Sequence, residues 1–578
     1  MIWNTNITEM TETKYPIIMG AFAFLGRAEF ASAFSDAGGL GIITALNFNN
    51  ADEFGKEIEK MKILTDKPFG VNFTITPPYL RRGGRSWTEE FYMDFLDIAI
   101  DAGVKVFTTS AYRAPKLGKK IKNADCYRFH KCTTLKHALA AEKSGVDAIT
   151  LVGLEGTGFK NPNQNTTLIN VTMGKKLLKI PIIAAGGIGD ARGFLAALIM
   201  GADAVCFGSA IIATTESPAS TRWKNKILNQ DIFDEIYYKK IYHLQLKDSP
   251  IGSMAIGHCK KIISLKEFIG NIINQSEQKI EKGLINKENR IIQMTGSKYP
   301  IMMGAFAGIG TAPFAAAFSN AGGFGIITAS IYNTKEKFRE ALELTKKLTN
   351  NPFGVNFSVV SSEMAKSNPR LRTEDSYLDY INIAIEEGVK VCTTSAYQAN
   401  KIGKKLHKAG CYWFHKCALV KHAVSAEKYG VDAITLVGIE GAGAKNPYQN
   451  TTLINITMAR DLLQVPIIAA GGIGDARGFL GALAMGAEAV CFGTAILATK
   501  ECPAPENYKK KIITQNIFDE DYHKKIFDFN YRDITVGSMA SGHIKKSISV
   551  NEFISNIIIN AKKILKNREF ETKKFDFL

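Results

Sequence analysis

The chain is written twice, and that duplication constrains its fold more than any other feature. MGAFAFLGRAEFASAFSDAGGLGIITA, beginning at Met19, returns as MGAFAGIGTAPFAAAFSNAGGFGIITA from Met303. FGVNF returns with Asn72 answered by Asn356, and AAGGIGDARGFL with Gly186 answered by Gly471. The period is about 285 residues, with one single-residue register change between these motifs, and is far longer than solenoid or propeller repeats of roughly 20–50 residues. Each copy must therefore build its own core. The chain reads as two domains, 1–285 and 286–578.

Within each copy, short β-rich runs alternate with helical patterns. In the first copy the strands read YPIIMGAFA, GLGIITA, FGVNFTI, VKVFTTSA, YRFHKC, AITLVGLE, IPIIAAGGI and AVCFGSAII. They are continuous apolar runs rather than alternating ones, as a parallel sheet buried on both faces requires. Several intervening helices stop at Gly, the residue that takes the left-handed conformation without strain. Eight strand–helix units predict a TIM-type (β/α)8 barrel, an α/β fold, twice in tandem. Residues 213–284 and 498–569 are expected to form a small, mostly helical appendage after strand eight, each with a GSMAxGHxKK segment.

Composition is that of a soluble globular protein, 46% hydrophobic and 22% charged, apart from a net charge of +17. The lysines are spread over helical segments such as KEIEKMK and KLGKKIK rather than clustered beside aromatics. They read as a solvated surface that favours anionic small molecules, with no nucleic-acid partner. Nine cysteines include no CxxC pair, and three recur in both copies (Cys126/Cys411, Cys132/Cys417, Cys206/Cys491). Buried reduced thiols fit a cytoplasmic protein. MIWNTNITEM lacks a basic segment ahead of an apolar core, and charges interrupt the longest apolar runs, so neither a leader nor a membrane span is expected. The junction near 280–294 is short and charged, which predicts an intramolecular pseudo-dimer, open to further homo-oligomerisation.

Barrel chemistry sits at the C-terminal ends of strands, with phosphate often held after strands seven and eight. Strand seven ends in Gly186 and Gly187, strand eight in Gly208 and Ser209; the second copy has Gly471, Gly472, Gly493 and Thr494. Glycines there let backbone N–H groups approach an anion ahead of a helix, which predicts a phosphate site in each barrel. No metal site is expected.

Taken in order, PIIMGAF, SDAGGLGIITA, FGVNF, HKCTTLKHALAAEKSGVDAI and AAGGIGDARGFL with its following strand resemble the nitronate monooxygenase (2-nitropropane dioxygenase) family over almost all of each half. The resemblance implies an FMN-dependent barrel oxidoreductase. It would rest the isoalloxazine on the backbone around Met19, Gly20 and Ala21, place Asn72 and Lys131 on the ring or ribityl chain, and put the phosphate on Gly187, Gly208 and Ser209, with Gly186 shaping the loop. The matching positions are Met303, Gly304, Ala305, Asn356, Lys416, Gly472, Gly493 and Thr494. Lys131 ends strand five, where a cation suits the negative charge of a reduced flavin.

The resemblance also implies a catalytic histidine after strand six. That stretch here reads GLEGTGFKNPNQNTT and GIEGAGAKNPYQNTT, with Phe159 and Ala444 at the histidine position. Neither moves a proton. Glu155, Phe159 and Lys160, with Glu440, Ala444 and Lys445, are expected to line a substrate pocket. The neighbouring residues Asn161/Asn446, Gln164/Gln449 and Asn165/Asn450 read as a loop retuned for another ligand. Strand alternation turns His130 and His415 toward the helical layer, and His137/His422 reads as surface. His258 and His543, in the appendage segment, are then the candidate acid–base residues.

The leading activity is oxidation of a small anionic or activated substrate, with oxygen as acceptor. The alternatives are an NAD(P)H-dependent reductase of an enoyl thioester or quinone, in which NAD(P)H is a co-substrate, and a non-catalytic flavin-binding scaffold.

Overall fold

The computed structural model describes residues 3–79, 86–158, 160–242, 251–285, 288–306, 308–367, 371–443, 445–527 and 537–567. The chain divides into two compact units, Met1–Lys279 and Ile280–Leu578. The first has eight strands: β1 (Ile17–Met19), β2 (Gly41–Thr44), β3 (Phe69–Ile75), β4 (Val106–Ala111), β5 (Tyr127–Cys132), β6 (Ala148–Val152), β7 (Ile182–Ala185) and β8 (Ala204–Phe207). The second repeats them as β9 (Ile301–Met303), β10 (Gly325–Thr328), β11 (Phe353–Val359), β12 (Val391–Ala396), β13 (Tyr412–Cys417), β14 (Ala433–Val437), β15 (Ile467–Ala470) and β16 (Ala489–Phe492).

All pairings are parallel, and in the first unit they run in the order β1-β8-β7-β6-β5-β4-β3-β2. Parallel bridges Ile18 to Leu40 and Met302 to Phe324 bring the two ends of each sheet together. Both units are therefore TIM-type barrels, as the apolar runs predicted. The strands are shorter than those runs because their last residues leave the sheet for the mouth; Gly20 donates across to Phe207 O at 2.7 Å. A Cβ on Gly20 would lie 3.0 Å from that oxygen, so strands one and eight approach this closely only with glycine there.

Helices between strands follow local rules. Asn50 caps the helix Ala51–Leu64 by accepting from Glu53 N, and Phe54, Ile58 and Met61 line its buried face at helical spacing. Phe54 is fully buried, and its truncation to Ala would cost about 3–5 kcal/mol. After β8 the segment expected to be an appendage divides in two. The helices Thr221–Leu228 and Glu235–Tyr242 and the 3-10 turn Met254–His258 form the insertion. The helix Leu265–Lys282 instead completes the barrel, with Phe268 edge-on to Phe207 of β8 at 5.2 Å between ring centres. All nine cysteines are free, and no helix among the described residues is long and apolar enough to cross a membrane.

Candidate active site

The register pairs Ala185 with Cys206, so the loops after β7 and β8 leave the sheet side by side. Gly186 and Gly187 take φ of 103° and 72°, which β-carbon-bearing residues adopt only with strain. A Cβ on Gly186 would also lie 2.8 Å from Gly153 N. Among the described residues, the N–H groups of Gly187 and Gly208 donate to nothing. Gly471 and Gly472 repeat the turn at 105° and 71°, and Gly472 and Gly493 leave the same donors without an acceptor. Backbone donors held this way at a barrel mouth are built for an anion. A flavin phosphate fits them.

The Lys131 ammonium makes no hydrogen bond or ion pair among the described residues. Burial pulls its ammonium below the ordinary lysine value, opposed weakly by the Cys206 thiol, and Lys416 is in the same state beside Cys491. A partnerless cation in such a place is costly unless an anionic or electron-rich group meets it. Its Nζ lies 3.4 Å from where a Cβ of Gly158 would be, so the loop after β6 arches against it. Asn72, buried at the mouth, donates to Thr108 Oγ1 at 2.8 Å and accepts from Thr74 Oγ1 at 3.0 Å; Asn356 does the same with Thr393 and Ser358. Both amides are thus locked in orientation. Ala21, Lys131 and Lys160 line one cleft of about 1630 Å³ in the first barrel.

Lys160 donates to Leu154 O, and Lys445 to Ile439 O and Ile526 O. Burial draws both ammonium groups down to about 7; Glu155 opposes this at Lys160, where Lys131 adds to it, and Glu440 opposes it at Lys445. Phe159 and Ala444, at the position of the absent histidine, lie outside the described residues.

Two pairs of expected site residues stand elsewhere. Glu155 is fully buried and is not part of the cleft lining; its Oε2 accepts from Thr167 N at 3.0 Å, and the Thr167 hydroxyl lies within donating reach of both that oxygen, at 3.0 Å, and Gly186 O, at 2.8 Å. Glu440 does the same with Thr452. The carboxylate is a fastening between the loops of strands six and seven. His258 and His543 are buried against the helix-capping carboxylates of Asp190 and Asp475, with Nδ1–Oδ2 separations of 3.7 and 3.2 Å. His258 is not part of the lining of the first cleft. Burial pushes the Asp190 carboxyl up, but His258, Arg192 and the Gly193 N–H outweigh it and hold it below its ordinary value.

The segment that carries these histidines has a different role. Ser253 N donates to Ser209 Oγ at 2.7 Å and Met254 N to Glu155 O at 3.0 Å, so one short turn straps the loops of strands six, seven and eight together. Gln164 Nε2 likewise closes its own loop onto Val152 O and Gly153 O at 2.9 and 3.0 Å. Its recurrence in both copies follows from loop closure rather than from ligand choice. His130 shares a 2.8 Å hydrogen bond with Thr109 Oγ1, and burial with nearby Arg128, His137 and Arg113 pulls it down to about 4. It is neutral at physiological pH.

Sequence reasoning passed over the rim of the first cleft, where Phe24, Arg27, Trp87, Tyr112 and Arg113 stand. The available signal was the difference between the copies, which put Gly308, Thr311 and Gln398 opposite Phe24, Arg27 and Arg113.

With this geometry in view, the chain can be set beside known proteins. A family model described as nitronate monooxygenase matches residues 4–242 and again 288–557. A probable nitronate monooxygenase of Staphylococcus aureus is 30% identical over 47% of this chain and 86% of its own length. A 5-hydroxy-7a-methyl-1-oxo-octahydro-1H-indene-4-carboxyl-CoA dehydrogenase of Rhodococcus jostii is 29% identical over 42% of this chain and 64% of its own. Among solved structures, FabK from Thermotoga maritima is similar at 27% identity and a TM-score of 0.42, over 48% of this chain and 98% of that one. With both halves matched, the chain belongs to the nitronate monooxygenase family and is an oxidoreductase built from two copies of its barrel.

Proposed function

We propose that each barrel holds FMN, and that the protein oxidises a small anionic or activated substrate with oxygen as the electron acceptor. The observation that carries this reading is the pairing of acceptorless N–H groups at Gly187 and Gly208 with a half-buried, partnerless cation, Lys131, at one barrel mouth. FMN, when bound, supplies the two-electron redox chemistry. Gly187 and Gly208 hold its phosphate through backbone donors, Ser209 adds a hydroxyl, and the turn at Gly186 sets their direction. Asn72 presents an amide whose orientation Thr108 and Thr74 fix in advance. Lys131 offers a fixed positive charge in a desolvated setting, where it acts more strongly than in water. Lys160 Nζ, drawn to about 7, holds or releases a proton near neutral pH at the loop where the family resemblance led one to look for histidine.

One observation favours the second reading, reduction of an enoyl thioester or quinone by NAD(P)H. The lining of the first cleft runs from Lys131 past Tyr112 and Arg113 to Lys119 and Lys122 on the helix Pro115–Asn123, farther than the strand ends where the flavin would sit. The name of the Rhodococcus relative, which is that of a CoA-thioester dehydrogenase, supports an acyl thioester in that space.

Anaerobic mixing separates the readings. Loss of the flavin's visible band with nitronates, and oxygen uptake once air is admitted, supports the first. Loss of the band with NADH or NADPH, and its return on adding an enoyl thioester or quinone, transfers the conclusion to the second. A colourless protein that cannot be reconstituted with FMN removes both.

A further inference from the structure

We propose that the first barrel, and not the second, carries at its rim a subsite for an adenosine diphosphate moiety. The proposal deepens the reading of this cleft as a redox site, since such a moiety is common to nicotinamide cofactors and coenzyme A thioesters.

Three observations lead there. Among the described residues, the lining of the cleft includes lysines and arginines but no carboxylate. Arg27 and Arg113 stand exposed at its rim, and neither forms an ion pair among the described residues; Glu29, which feels the charge of Arg27, is spent on Lys60. Arg27 donates only to Asn47 O at 3.4 Å and lies over the Phe48 ring at 5.0 Å, so its charge is met by no carboxylate, and guanidinium groups left without a carboxylate in one cleft are matched to phosphate oxygens.

The second observation is Phe24, which is 82% exposed on a backbone with φ of 70°. Asn47 holds that turn from both sides, accepting from Phe24 N at 2.6 Å and donating to Phe22 O and Gly26 O at 3.1 Å. The second barrel makes the same turn with Gly308 at φ of 85°, free of strain. The turn therefore belongs to the fold, while the aromatic side chain placed on it does not. A Phe that is strained, exposed and at the mouth of a cleft earns nothing from burial, whereas a flat base would stack on it.

Third, Ala111 takes φ of 74° just before Tyr112, 41% exposed, and Arg113. An aromatic face and a guanidinium thus occur twice on one rim: Phe24 with Arg27, Tyr112 with Arg113. Opposite Phe24, Arg27 and Arg113 the second copy has Gly308, Thr311 and Gln398. It keeps the turn and an exposed Tyr397 at the position of Tyr112, and drops Phe24 and both arginines.

The test is calorimetric titration of the flavin-saturated full-length protein with ADP, adenosine 2′,5′-bisphosphate and adenosine 3′,5′-bisphosphate, with flavin content measured on the same samples. One site per chain is expected. The Arg27→Gln/Arg113→Gln double variant should weaken it by about tenfold or more, and Phe24→Gly by several-fold, with flavin content unchanged. Preference for the 2′,5′-compound assigns the subsite to a nicotinamide cofactor, and preference for the 3′,5′-compound to a coenzyme A thioester. Absence of saturable binding, two equal sites per chain, or wild-type affinity in the double-arginine variant overturns the proposal. Because flavin content is read separately, loss of nucleotide binding with flavin retained sinks only this subsite. Nucleotide binding to a protein that takes up no flavin sinks only the flavin reading.

Discussion

The two barrels agree at the floor of the mouth and part at its rim. At the floor, Gly187 and Gly472 differ in φ by a single degree, 72° against 71°, and Asn72 and Asn356 make the same 2.8 Å bond to a neighbouring threonine. The Glu155–Thr167 fastening recurs as Glu440–Thr452 at 3.0 Å. At the rim, Phe24, Arg27 and Arg113 stand against Gly308, Thr311 and Gln398. Strand five diverges as well. Arg128 donates to Ala114 O and Ser144 O, while Trp413 in its place donates to Thr394 Oγ1 at 2.7 Å. A floor made of backbone donors and turn geometry tolerates little change, because moving one N–H moves the whole cradle. Rim side chains can be exchanged one at a time, so a duplicated barrel is free to change its substrate there while keeping its cofactor.

The largest effect should follow from attacking the shared floor. Gly187→Asp forces a side chain onto a left-handed backbone and sets a carboxylate on a site for an anion. It should empty the first barrel of FMN and leave the second loaded, halving the flavin released by heat; Gly472→Asp should do the converse. If either variant still releases two flavins per chain, the phosphate does not sit on these loops.

A smaller effect tests whether the two floors are energetically alike. Thr167→Val removes the hydroxyl that joins the buried Glu155 carboxylate to Gly186 O, and Thr452→Val removes its counterpart. Loss of a buried bond to a charged group costs about 1.5–3 kcal/mol. Denaturant midpoints should fall by the same amount in both variants. A difference above about 1 kcal/mol would show that the fastening bears unequal weight in the two barrels.

Acid–base behaviour gives a third, graded test. Lys160 and Lys445 are drawn to about 7 when folded, against about 10.4 in an unfolded chain. Between those values the unfolded state binds more protons, so stability should climb as pH rises from about 7 toward 10. Replacing either lysine by Met removes that barrel's share and flattens the climb. An urea midpoint in Lys160→Met that rises between pH 7 and 9 as steeply as in wild type would place this amine in water.

Much of this was legible beforehand, and the gaps have physical causes. The strands were plain because a sheet buried on both faces needs unbroken apolar runs, and the repeat singled out the paired strand-end glycines from ordinary turn glycines. The histidines of the GSMAxGH turn stood out because sequence shows a titratable ring but not that it is buried against Asp190. Glu155 and Gln164 looked like ligand groups because loop closure and ligand binding both call for polar residues in a loop. Phe24 and Arg27 left no periodic signal at all. Surface side chains follow no repeat, and only the contrast with Gly308 and Thr311 marks them.

That contrast supplies the smallest predicted effect. A β-carbon on a left-handed backbone costs roughly 1–2 kcal/mol, which Phe24→Gly would relieve. Glycine gives back about 0.5–1 kcal/mol through the greater freedom of its unfolded chain. Burial hardly enters, because Phe24 is 82% exposed. The fold should therefore change by no more than about 1.5 kcal/mol, in the direction of greater stability. The reverse exchange, Gly308→Phe, has room for its Cβ, with nothing within 4 Å, and so should pay the backbone strain and little else, about 1–2 kcal/mol. Midpoints measured by denaturant unfolding check both. Were Phe24→Gly to lose more than about 2 kcal/mol, the ring would be packing the first barrel rather than facing a ligand, and the two rims would differ in construction rather than in what they recognise.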